Sequence, residues 1–76
     1  MGNDLEKIFE SLITYQEEIV YNCALNIIPT ITREDLLQPN DYPSLENNPY
    51  FRYEEGVLAG LLSARTAFRA KNYSKE

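Results

Sequence analysis

The chain has no histidine and no tryptophan, and its 76 residues include one cysteine, one methionine and three glycines. Each scarcity removes a class of chemistry. Without histidine there is no common zinc ligand set and no imidazole base for a nucleophile. The serines, Ser11, Ser44, Ser63 and Ser74, lack a Gly-x-Ser-x-Gly elbow. Three scattered glycines make no phosphate-binding loop. A lone Cys23 forms no disulfide within the chain, and its neighbours Asn22 and Ala24 offer no base to activate it, so it reads as a small buried hydrophobe. No catalytic, cofactor or metal residue is assigned, and the chain is not expected to be an enzyme.

Other segments are missing too. Met1-Gly2-Asn3-Asp4 is not the basic-then-apolar opening of a signal peptide. Position six is Glu6 rather than serine or threonine, against myristoylation. The nine uncharged residues Gly56 to Ala64, GVLAGLLSA, fall far short of the roughly 20 needed to cross a bilayer. With the lone cysteine, these features lead to the expectation of a cytoplasmic protein without membrane contact. The formal net charge of −5 argues against general nucleic-acid binding.

The sequence does hold two long helical patterns. The first is expected over about residues 4–28, capped by Asn3 or Asp4 and stopped by Pro29. At about 100° per residue, Leu5, Ile8, Phe9, Leu12, Ile13, Tyr15, Ile19, Val20, Cys23 and Ile27 share one side. That arc is about 160° wide, enough for two neighbours rather than one. Tyr21, Leu25 and Ile28 make a smaller patch that the middle segment is expected to cover.

The second long helix is expected over about 49–72, with Asn48 as cap and Pro49 at the first helical position. Tyr50, Phe51, Tyr53, Val57, Leu58, Leu61, Leu62 and Phe68 form a bulky side. Gly56, Ala59, Gly60, Ser63, Ala67 and Ala70 form a small one. Each mid-helix glycine costs about 1 kcal/mol relative to alanine, so the pair Gly56 and Gly60 suggests close approach by another helix. Between the long helices, Thr32-Arg33-Glu34-Asp35 has capping-box spacing, predicting a short helix over about 33–37 that Pro39 ends. Residues 40–48 are rich in turn formers and show no period. The end of the chain, from Asn72, is expected to fray.

Two helices of matched length suggest a single all-α domain: an antiparallel hairpin with a short connecting helix. Folding near residue 38 sets Phe68 beside Phe9. It also brings Arg65, Arg69 and Lys71 to the acidic start, which explains the charge asymmetry. Residues 1–55 carry eleven acidic and three basic side chains, whereas 56–76 carry one acidic and four basic. Gln16 and Arg65 fall inside the apolar arcs. They are read either as polar groups that fix helix register, with Glu54 of a second copy as a further partner, or, for Arg65, as a stem that carries its charge out to solvent.

A lone hairpin leaves apolar surface wet. The expected assembly is therefore a homodimeric four-helix bundle, with Tyr50, Tyr53, Gly56, Gly60, Ser63 and Ala67 as interface or partner-binding candidates. The expected role is a small, non-catalytic interaction, regulatory or assembly protein for an unknown protein partner. Two other classes are carried. One is a bundle that binds a small molecule or a divalent metal, the metal through Glu17, Glu18, Glu54 and Glu55. The other is nucleic-acid association through the basic, aromatic segment from Arg65 to Lys75.

Overall fold

Pro29 and the pair Asn48-Pro49 divide the chain as their chemistry dictates. In the computed structural model, which describes residues 2–73 and the side chains of 4–71, α1 spans Gly2–Ile27. A short α2 spans Pro43–Glu46, and α3 spans Pro49–Tyr73. Asn48 caps α3: its Oδ1 accepts from the backbone N–H of Tyr50 and of Phe51, both at 3.0 Å. The first helix starts two residues before the expected Asp4, and the side chain of the other proposed cap, Asn3, lies outside the described residues. Tyr73 is still helical, so fraying from Asn72 is not seen; residues 74–76 lie outside the described part.

The connection holds more structure than its turn formers suggested. Instead of one helix over 33–37 there are two 3-10 turns, Asp35–Leu37 and Pro39–Asp41, followed by α2. Pro39 therefore opens a turn as well as closing one, and Pro43 sits at the start of α2, where its missing N–H costs nothing. The Thr32/Asp35 box forms as spaced. The Asp35 N–H donates to Thr32 Oγ1 at 3.1 Å, and the Thr32 N–H donates to Asp35 Oδ2 at 3.0 Å. The Thr32 N–H, and after it the Thr32 hydroxyl, favour the charged carboxylate and hold the Asp35 side chain below its ordinary titration range. Hydrogen bonding to Asp35, with the neighbouring charges, in turn pushes the Tyr42 hydroxyl upward.

α1 and α3 pack side by side, and the middle segment folds over one end. There Val20, Ala24, Ile31, Leu45 and Phe51 form the buried core. The patch of Tyr21, Leu25 and Ile28 packs against it beneath the connection, as expected. Leu45 is fully buried although it sits in the stretch that showed no period. Arg33 ties the connection to α1. Its guanidinium lies 4.2 Å from the centre of the Tyr21 ring, and its Nη2 donates to Glu18 at 2.7 Å.

The far, open end is different. Of the buried hydrophobic residues among those described, only Ile13 lies outside that core cluster. The helices are held there by the Phe9–Phe68 ring pair, centroids 5.6 Å apart, and by ion pairs. The molecule measures 46 × 20 × 18 Å with a radius of gyration of 14.7 Å. A compact chain of this length would have about 11 Å. The hairpin is a single elongated layer, and no further layer among the described residues covers it.

Candidate functional site

The register that joins the helices is built from polar groups. Gln16 is buried on α1, and its Nε2 donates to the backbone carbonyl of Glu54 at 3.0 Å and to Glu54 Oε1 at 2.7 Å. The structure corrects the expected pairing in two ways. Glu54 comes from the same chain rather than a second copy, and Arg65 does not join Gln16. Arg65 donates through Nη1 to Glu10 at 2.9 Å, while Arg69 binds both Glu6 and Glu10. The physical reason is reach. Arg65 faces Glu10 and Arg69 faces Glu6, whereas Gln16 reaches Glu54, so Arg65 lies eleven residues, about three turns, along α3 from the residue that Gln16 holds. Arg65 Nε is buried with no hydrogen-bond partner among the described residues.

These contacts pair two of the basic side chains that suggested nucleic acid, Arg65 and Arg69, with carboxylates of their own chain. They also take apart the acidic quartet considered for metal. Glu18 pairs with Arg33, Glu54 with Gln16, and Glu55 with Arg52 at 3.4 Å. Among the described residues, no three His, Cys, Asp or Glu side chains stand together as a cation site. Cys23 is half-buried. Burial first, and the charge of Glu54 second, push its thiol above the ordinary range, which leaves little thiolate at neutral pH.

The wide apolar arc of α1 splits. Ile13, Gln16 and Val20 turn inward to α3, whereas Leu5, Ile8, Leu12 and Tyr15 remain 48, 54, 45 and 68% exposed. Their spacing, three, four and three residues, marks a seam along one side of the helix. The expected second neighbour of α1 is not supplied by the described residues.

The interface candidates on α3 separate as well. Tyr50 and Tyr53 were grouped with the bulky side but stand exposed, while Phe51, between them, is buried. Gly56, Gly60, Ser63 and Ala67 are exposed, and a Cβ built at Gly56 or Gly60 would meet nothing within 4 Å. Neither glycine has a positive φ. Close approach within the hairpin is therefore not the reason for them. Gly56→Ala is expected to stabilise the helix by roughly 0.5–1 kcal/mol, raising the melting temperature by a few degrees. A thermal melt followed by circular dichroism checks it, and a fall in the midpoint would place Gly56 at a tight contact.

Sequence reasoning missed a cleft on the other side of α1. It has a volume of about 370 Å³ and lies between α1, the Asp35–Leu37 turn and α3. Val20, Phe51 and Leu58 form its floor, with Leu36, Leu37 and Tyr21 around them and Glu17, Glu55 and Arg33 at the rim. No helix among the described residues is long and apolar enough to cross a membrane. The sequence matches no protein-family model, and no curated protein or solved structure matches it.

Proposed function

We propose that the protein is a small, non-catalytic interaction module that works as a homodimeric four-helix bundle. The observation that carries this reading is the exposed Leu5-Ile8-Leu12-Tyr15 seam at the end of the hairpin where the core is thinnest. Left wet, each of these side chains forgoes roughly 1 kcal/mol.

Surface area supports a partner of this size. The chain exposes 5595 Å², whereas a compact monomer of 8.8 kDa exposes about 4,800 Å². The excess, about 800 Å², is the share one partner contributes to a standard interface. Helical phase supports the architecture. At about 100° per residue, the seam lies about 90° around α1 from the line Ile13-Gln16-Val20 that faces α3. That is the corner a helix turns between its two neighbours in a four-helix bundle. The same rotation on α3, away from the Glu6 and Glu10 ion pairs, reaches Tyr53, Val57, Gly60, Ala64 and Ala67. Small residues there would receive the large ones of the seam. On this geometry Gly60, Ala67 and Tyr53 join the interface, Tyr50 borders it, and Gly56 and Ser63 lie outside.

A two-fold axis parallel to the helices keeps every residue at its own height. Leu12 then comes level with the partner's Ala64, and Asp4 with the partner's Lys71. Lys71 makes no ion pair within its own chain among the described residues, so charge also favours the second copy. Cysteine cross-linking tests the arrangement. Leu12→Cys with Ala64→Cys, in a Cys23→Ser background, is expected to give a reducible covalent dimer on mild oxidation. Either substitution alone should give none. Absence of the dimer from the double variant would reject this pairing of α1 with α3.

A further inference from the structure

We propose that the cleft between α1, the Asp35–Leu37 turn and α3 docks a basic amphipathic helix of a partner protein. The helix seats a large apolar side chain on Val20, Phe51 and Leu58, and sets lysine or arginine against Glu17 and Glu55. This names a partner for the interaction module proposed above, but it does not depend on the dimer. The cleft lies about 150° around α1 from the exposed seam at about 100° per residue, so self-association leaves it open.

Three observations define the occupant. The volume, about 370 Å³, is at the small end for ligand pockets and accommodates one or two large side chains. The rim is acidic. Glu17 on α1 has no ion-pair or hydrogen-bond partner among the described residues, and Glu55 on α3 has only the 3.4 Å contact to Arg52. Two carboxylates at the rim of one cleft present negative charge to whatever enters it, which favours a cationic occupant. Arg33 does not serve, because Glu18 and the Tyr21 ring already hold it. Leu37, finally, stands at the lip and is 76% exposed. A small organic cation within the cleft would leave Leu37 wet, whereas a helix lying along the groove covers it.

The test uses the full chain and a fluorescein-labelled 18-residue peptide with leucines on one helical face and lysines on the other. Binding is followed by fluorescence anisotropy and by amide shifts in nuclear magnetic resonance spectra. Saturable binding is expected, with the largest shifts at Glu17, Leu37 and Leu58. Glu17→Gln with Glu55→Gln should weaken it about tenfold. Leu37→Ser should weaken it about tenfold or more, with helical content unchanged because Leu37 is exposed. Leu12→Glu should leave it intact. The proposal is overturned if the cleft variants bind as well as the native chain, or if Leu12→Glu abolishes binding. It is equally overturned if a scrambled peptide of the same composition binds equally, or if phenethylammonium binds the cleft and the peptide does not. A chain that stays monomeric yet binds through the cleft retires the dimer and keeps this site.

Discussion

Leu12→Glu is expected to turn the proposed dimer into a monomer. Leu12 sits mid-seam and is 45% exposed in the single chain, so the substitution places a carboxylate where the chain itself requires no burial. In the bundle it removes an apolar side chain from each of two symmetric contacts, at roughly 1 kcal/mol apiece because Leu12 is already half-buried in the single chain. Together that is about 2 kcal/mol, or between one and two orders of magnitude in the dissociation constant. Desolvation of two new charges adds to it. Light scattering at micromolar concentration reads the result directly. The core around Phe51 and Leu45 lies at the other end of the hairpin, so helical content there should persist. A Leu12→Glu protein with the native mass would show that the seam is not the interface.

Phe51→Ala is expected to cause the largest loss of stability of any single substitution. Phe51 is 1% exposed and packs with Val20, Ala24, Ile31 and Leu45, where α1, the connection and α3 meet. Truncating a buried phenylalanine costs about 3–5 kcal/mol. A chain this short has a total stability of only about 4–11 kcal/mol. The melting temperature should fall by roughly 20 °C, and cooperativity should drop as the connection loosens. Phe51→Leu keeps most of the volume and should cost far less. Chemical denaturation of the three proteins decides it. A loss below about 1 kcal/mol for Phe51→Ala would mean that the connection end is not where the hairpin is held.

Much of this fold is legible in the sequence because its signals are local. Asn48-Pro49 marks the start of α3, since a side-chain acceptor and a ring with fixed φ act within one turn. Thr32 and Asp35 reveal their reciprocal bonds by spacing alone. The contact of Phe9 with Phe68 follows from two helices of matched length, and charge asymmetry anticipates the ion pairs of Arg65 and Arg69. What was lost is long-range or finely placed. Helical period groups Leu12 with Ile13, because it measures the width of an apolar arc and not which part of it finds a neighbour. It grouped Tyr50 and Tyr53 with Phe51 for the same reason. Leu45 could not be found by period, since a four-residue helix is barely one turn. Gln16 was recognisable as a buried polar group, but which residue of α3 its side chain reaches is set more finely than hairpin geometry fixes from sequence.

The surfaces show the same division. The seam was visible as excess apolar width on the first helix, and the glycines on α3 were visible as an unexplained cost. The cleft was not, because it needs Leu37 and Arg33 brought over α1 by the two 3-10 turns, and turn formers do not reveal where they send the chain. Arg33 is the only basic residue between Lys7 and Arg52. That isolation, amid acidic residues, was the one clue that it anchors the connection.

Sedimentation equilibrium of the native chain across micromolar concentrations bears most directly on self-association. Two-fold packing of the Leu5-Ile8-Leu12-Tyr15 seam predicts a species of twice the 8.8 kDa chain mass, dissociating on dilution with the affinity of a standard interface. A single 8.8 kDa species, fully helical and cooperatively folded at every concentration, would contradict it.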